Sequence, residues 1–192
     1  MAIDLTIGDA LLLVDVQNDF LPGGALGVPD GDAVIAPLNG YLQAAAQRQL
    51  LIFASRDWHP RGHCSFKPQG GPWPEHCVAG TPGAQFAPAL ALPANAITIS
   101  KATRPERDAY SAFEGTWLQA LLTQANVDRV LIGGLATDYC VLNSVRDALA
   151  AGFRVVLLTD AIRAIDAGDG ARAEAQMIRL GAVPAELSDI ET

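Results

Sequence analysis

The chain has 192 residues, half of them hydrophobic, with 13 Lys and Arg against 21 Asp and Glu for a net charge of −8. A single core can grow to roughly 250 residues before it splits, so residues 1–192 are read as one domain. No Lys/Arg cluster interrupts the acidity, and no apolar run approaches the roughly 20 residues that span a bilayer, which sets aside nucleic acid and membrane as partners.

In chain order, the first apolar run, Ala10-Leu-Leu-Leu-Val14, ends at Asp15. A helix over about 32 to 48 follows, with Val34, Ile35, Leu38 and Leu42 on one face and Asp30 or Asp32 as its cap. The run Leu50-Leu-Ile-Phe-Ala54 leads into Asp57-Trp58-His59, and Ala96-Ile-Thr-Ile-Ser100 ends at Lys101. A second helix, about 116 to 125, starts at Thr116 with Gln119 at capping-box spacing and buries Leu118, Leu121 and Leu122. Val130-Leu-Ile-Gly-Gly134 then runs to Cys140 at the start of a third helix, about 138 to 151, that ends at Gly152. A strand over 154–159, a fourth helix over about 168 to 180 and a last strand near 183 to 187 complete the order.

Short aliphatic strands alternating with helices predict an α/β fold with a mainly parallel sheet. In such sheets ligands bind in the crevice outside the carboxyl ends of the strands. Asp15, Asp57, Lys101 and Cys140 all stand at such ends, so an acid, a metal-type cluster, a lysine and a thiol are expected to meet on one edge. The stretch from Trp58 to Asn95 has no clear period and holds all three histidines, at 59, 63 and 76. A loop this long in a compact domain is either disordered or functional, and the histidines favour function.

Cys140 is the candidate nucleophile. It lies in the first turn of a helix that Thr137 or Asp138 can cap, where the electropositive N-terminus is expected to lower the thiol pKa and free amides can hold an oxyanion; the plainer alternative is a buried, inert thiol. Asp15 is the candidate base, and Lys101 its partner. Asp57 and His59 point to the same side of an extended segment and, with His76, offer one carboxylate and two imidazoles, a set that suits zinc, iron or manganese. His63 and Ser65 are possible further contacts. The alternatives are a closed structural zinc site using Cys64 and Cys77, or histidines that are simply solvated. Phe20, Trp73 and Tyr110, in loops, can line a flat apolar site. The glycines at 23, 24, 70, 71 and 80 read as turn formers rather than a phosphate loop. Three cysteines do not make a disulfide framework, and the N-terminus lacks the pattern of a signal peptide, so the cytoplasm is the expected compartment.

Four segments, Val14-Asp15-Val-Gln-Asn-Asp-Phe20, Arg56-Asp57-Trp58-His59-Pro60, Trp73-Pro-Glu-His76-Cys77-Val-Ala-Gly80-Thr81 and Gly134-Leu-Ala-Thr-Asp-Tyr-Cys140-Val, resemble the nicotinamidases of the isochorismatase-like hydrolase family. The resemblance covers nearly the whole chain. It implies a three-layer α/β/α fold around a six-stranded, mainly parallel sheet and a catalytic triad of Asp15, Lys101 and Cys140. It implies Asp57, His59 and His76 as ligands of one divalent metal, zinc first with iron or manganese as alternatives, and water completing the shell. It further implies a cis peptide at Leu135–Ala136, an oxyanion hole from the Ala136 and Cys140 amides, and a pocket formed by Phe20, Leu26, Trp73, Tyr110, Leu135 and Ala136. In some relatives a further histidine joins the metal, and His63 is its nearest counterpart here. The family's lysine is usually followed by glycine, where this chain has Ala102.

The implied activity is hydrolysis of nicotinamide to nicotinate and ammonia through a thioester, with pyrazinamide as a second substrate and NAD salvage as the setting. The partner is then a small molecule, and the chain a monomer or homo-oligomer. Competing readings are a related cysteine amidase acting on another small carboxamide, an isochorismatase-type vinyl-ether hydrolase, and a zinc-stabilised binding or redox module.

Overall fold

The structure, a computed structural model, describes residues 2–191. In chain order its strands and α-helices are β1 (Ile3–Asp4), β2 (Asp9–Val14), α1 (Ile35–Gln47), β3 (Leu51–Asp57), β4 (Ile97–Lys101), α2 (Leu118–Gln124), β5 (Arg129–Leu135), α3 (Leu142–Ala150), β6 (Arg154–Arg163), α4 (Ala167–Leu180), β7 (Val183–Ala185) and β8 (Ile190–Glu191). Six strands form the central sheet in the order β4-β3-β2-β5-β6-β7, every neighbouring pair parallel, and β1 pairs with β8 in a separate two-stranded ribbon.

Period-two alternation explains how one apolar run serves two faces. Leu11 and Leu13 of β2 pack with Leu38, Tyr41 and Leu42 of α1, whereas Ala10, Leu12 and Val14 pack with Leu118 and Leu122 of α2, Val145 of α3 and Met177 of α4. All six residues of β2 are buried, as expected of a strand covered on both sides. The segment between β3 and β4 is not loose: its Cys77, Ala84, Ala87 and Leu90 join the α1-side core.

The strand order puts a topological switch at β2. The chain leaves it toward β3 and β4 on one side, then returns to β5, β6 and β7 on the other. Asp15 follows the last residue of β2, and β5, which pairs Gly134 with Val14, leads toward Cys140. The crevice expected of such a sheet therefore opens between those two strand ends.

Several local expectations change. Neither Asp30 nor Asp32 caps α1; the helix is entered through a 3₁₀ turn at Gly31–Val34, and Asp30 takes a left-handed φ of 51°. Thr116 and Gln119 make no capping box, because α2 starts at Leu118; Thr116 Oγ1 donates to the Ala112 carbonyl at 2.6 Å while accepting from the Leu118 amide at 3.2 Å. The third helix divides into a π turn, Thr137–Val141, followed by α3, and neither Thr137 nor Asp138 caps it. Asp138 accepts instead from the amides of Ile165 and Asp166, both at 3.1 Å, tying the π turn to the β6–α4 connection. Among the described residues, no helix is long and apolar enough to cross a membrane.

Candidate active site

Asp15, Lys101 and Cys140 come from three strand ends and meet in the interior. Lys101 Nζ lies 3.0 Å from Asp15 Oδ2, 2.5 Å from Asp57 Oδ1 and 3.5 Å from Cys140 Sγ, and also donates to the Ala109 carbonyl at 3.2 Å. The geometry of the 3.0 Å approach makes no hydrogen bond, so Asp15 Oδ2 is the one buried side-chain nitrogen or oxygen without a hydrogen-bond partner among the described residues. Its other oxygen accepts from Ser55 Oγ at 2.7 Å. Oδ2 is held by the Lys101 charge rather than by a formed hydrogen bond, and a carboxylate oxygen of Asp15 lies within 4.8 Å of Cys140 Sγ.

Local backbone makes the convergence possible. Asp15 adopts a left-handed φ of 50°, which turns its side chain off the end of β2. On β5, a Cβ at Gly134 would lie 2.1 Å from the Val14 carbonyl oxygen, so only glycine allows the two strands to close up there. The Leu135–Ala136 peptide is cis, as the family resemblance implies. Beyond it, the amides of Tyr139 and Val141 both donate to the Ala136 carbonyl at 3.1 Å, which sets the π turn that carries Cys140. π turns of this kind recur at functional sites.

The electrostatics follow from burial and one shared cation. Burial pushes Asp15 above the ordinary 3.8, with Lys101 opposing and Asp57 adding to the rise. Asp57 is also buried, but Lys101 and His59 outweigh that and hold it low. Burial alone would lower Lys101; the two carboxylates keep it charged, well above its usual range. The thiol of Cys140 is raised by burial, with Lys101 only partly opposing. The expectation of a thiol activated by a helix N-terminus is thus overturned: desolvation wins, and the resting sulfur keeps its proton beside an acceptor that can take it.

Asp57, His59 and His76 form a second cluster whose donor atoms all lie within 4.8 Å of one another. His59 Nδ1 faces the His76 carbonyl at 3.0 Å and His76 Nδ1 faces the Pro74 carbonyl at 2.8 Å, so each ring carries its proton there. Both Nε2 lone pairs are left facing Asp57, at 3.9 and 4.0 Å. Burial lowers the His59 pKa to about 4, which keeps its ring neutral. Two imidazole nitrogens and a carboxylate around one point fit a divalent cation. His63 lies outside that group, in a separate one with His59 and Asp108 whose donor atoms also lie within 4.8 Å of one another. Its Nδ1 accepts from Ser65 Oγ at 2.8 Å and its Nε2 donates to the Arg107 carbonyl at 3.1 Å, so neither nitrogen is free. The closed zinc alternative also falls, since no such cluster among the described residues includes Cys64 or Cys77. The histidines are buried rather than solvated.

Both clusters open onto a pocket lined by Asp57, His59, His76 and Cys140 together with Phe20, Leu26, Trp73, Tyr110 and Ala136. Trp73 Nε1 donates to Tyr110 Oη at 3.0 Å, and the Tyr139 ring packs edge-on against Trp73. Leu135 does not line the cavity; its side chain is fully buried in the α1-side core. Sequence reasoning missed Ser55, Asp108, Tyr139 and Ile165. Ser55 had a signal, a polar residue inside an apolar strand, and Tyr139 had its place beside Cys140. The other two had none.

A buried thiol, base and cation at the carboxyl edge of a parallel α/β sheet, facing an aromatic cavity, are the equipment of a cysteine hydrolase. Residues 9–189 match the isochorismatase domain family, and the chain belongs to that family. It is 39% identical to the nicotinamidase of Escherichia coli, a match covering 95% of this chain and 96% of that one. Among solved structures, pyrazinamidase of Pyrococcus horikoshii in complex with zinc is 49% identical with a TM-score of 0.91, covering 93% of this chain and 99% of that one. An L. infantum structure in complex with nicotinate is 36% identical, also with a TM-score of 0.91, covering 100% and 99%.

Proposed function

We propose that this protein is a metal-dependent amidohydrolase that converts nicotinamide to nicotinate and ammonia, and that it also hydrolyses pyrazinamide. The observation that carries the reading is the buried Asp15–Lys101 ion pair, 3.0 Å apart, beside a Cys140 thiol that lines an aromatic pocket. The E. coli relative is a nicotinamidase, and the L. infantum relative has been seen with nicotinate.

Asp15 Oδ2 accepts the Cys140 proton as Sγ bonds to the carboxamide carbon. The carbonyl electron pair moves onto oxygen, where the Ala136 and Cys140 amides stabilise it. As that oxyanion collapses the C–N bond breaks, and the proton held by Asp15 passes to the departing nitrogen, releasing ammonia and leaving a thioester. Asp15 then takes a proton from water attacking the thioester carbon. The C–S bond breaks, Cys140 regains a proton, and nicotinate leaves. Lys101 keeps Asp15 oriented and offsets its charge between steps, while Phe20, Leu26, Trp73 and Tyr110 enclose the ring. A divalent ion held by Asp57, His59 and His76 would anchor the pyridine nitrogen and so orient the carboxamide; zinc is the ion of the P. horikoshii relative and suits these donors. The three unpaired cysteines fit a reducing cytoplasm.

The test is ammonia release from nicotinamide and pyrazinamide by the wild type and by Cys140→Ala, with metal content followed by elemental analysis. Turnover should fall by at least a thousandfold in the variant, of the order seen for lost nucleophiles, with fold and metal content retained. Ammonia release by Cys140→Ala at the wild-type rate overturns the assignment.

A further inference from the structure

Two side chains beside the catalytic carboxylate have no part in that mechanism, yet each holds the backbone at a metal-binding residue. Gln17 is fully buried. Its Oε1 accepts from the Asp57 amide at 2.8 Å, and its Nε2 donates to the Asp57 carbonyl at 2.8 Å and to the Ala84 carbonyl at 2.9 Å. The β2–β3 ladder explains why a side chain is needed here. Its paired register ends at Leu13 with Ala54, and Asp15 adds one bond to the Ser55 carbonyl before the chain turns away. Asp57, at the far end of β3, has outrun its partner strand, and the Gln17 amide stands in for the missing backbone. Two residues on, Asp19 Oδ2 accepts from the Cys77 amide at 2.7 Å. Cys77 directly follows His76 and sits at a left-handed φ of 46°. A Cβ at Gly83 would lie 2.2 Å from that same Asp19 oxygen, so the carboxylate occupies space that only glycine leaves open.

We propose that Gln17 and Asp19 are positioning residues for the cation site. From one short turn after Asp15 they fix Asp57 and the His76–Cys77 backbone in a single mutual geometry, so that metal affinity depends on them although neither is a ligand. This rests on the metal-dependent reading above. A structural role alone would lower stability and leave affinity unchanged; a positioning role separates the two, because groups that orient ligands typically set metal affinity by about 10–100-fold.

The experiment measures zinc affinity by competition with a chromophoric chelator, alongside thermal stability, for metal-free wild type, Gln17→Met, Asp19→Ala and Asp19→Asn. Leu118→Ala, a core change on the opposite face of the sheet, serves as the destabilised control. Affinity should fall about 10–100-fold in Gln17→Met and Asp19→Ala, recover most of that in Asp19→Asn, which keeps an acceptor, and stay unchanged in the control. If Gln17→Met does not fold, the Asp19 pair decides. Affinities within twofold of wild type in the folded variants, with stability lowered as in the control, overturn the inference and leave the proposed function standing. A wild type that binds no zinc and no other divalent cation overturns both.

Discussion

Lys101 is buried against two carboxylates, Asp57 at 2.5 Å and Asp15 at 3.0 Å. Removing one partner of a buried ion pair costs about 3–5 kcal/mol, because the remaining charge has neither water nor counterion. Lys101→Met should therefore lose about that much stability in urea unfolding at neutral pH, and also lose activity. The two carboxylates respond to pH with opposite signs. Asp57 is held below the ordinary 3.8, so its share of stability is present above that pH and is lost as acid protonates it. Asp15 is raised above 3.8, so its ionisation lowers stability as pH climbs through its folded pKa. The proposed mechanism needs that ionised form, so kcat/KM should fall on an acid limb whose midpoint lies above pH 3.8. Cys140 and Lys101 both titrate above their ordinary 9.0 and 10.5, so the triad contributes no alkaline limb below about pH 9. A midpoint below 3.8 in the pH–rate profile would refute Asp15 as the base. The positions of these side chains were legible because each ends an apolar strand. The direction of the Cys140 shift was not, because depth of burial is a tertiary property. Ala102 shows the reverse case: where the family resemblance places glycine, the alanine still adopts a left-handed φ of 50°.

At the scale of elements, the six strands of the central sheet and the four helices stand close to where periodicity puts them, while their ends depart from it and the β1–β8 ribbon, two residues a side, gave no periodic signal. Cap residues are ambiguous in sequence because an Asp near a helix start can serve either that helix or a neighbouring segment. Asp138 serves the β6–α4 connection, and Asp166, not singled out beforehand, is the true cap of α4, accepting from the Asp169 amide at 2.9 Å. Asp166→Ala should cost about 0.5–2 kcal/mol, read as a lower urea midpoint with unchanged slope. No change in the midpoint would mean that the cap bond is not held in solution. The π turn was likewise illegible, since it depends on how the Ala136 carbonyl gathers two amides after the cis peptide.

For the molecule as a whole, alternation of strand and helix announced the parallel sheet, but nothing in the chain said on which side of β2 the fifth strand would settle. That choice creates the crevice, and the long β3–β4 segment supplies its histidines. A ligand that binds only the native state stabilises it by about 2.7 kcal/mol at a hundred times its dissociation constant. For a chain of this length that is about 5–10 °C in melting temperature, so zinc should raise the midpoint and a chelator should reverse it. A melting curve indifferent to both would argue against a resident cation.

The chain contains two lysine side chains, at 67 and 101, and they could hardly differ more in access: Lys67 is exposed, whereas Lys101 is 1% exposed. Amine-directed reagents such as activated esters will consequently reach the first and spare the second. Side-chain coupling to a support or dye is then confined to a single anchor, and the working crevice is left chemically untouched.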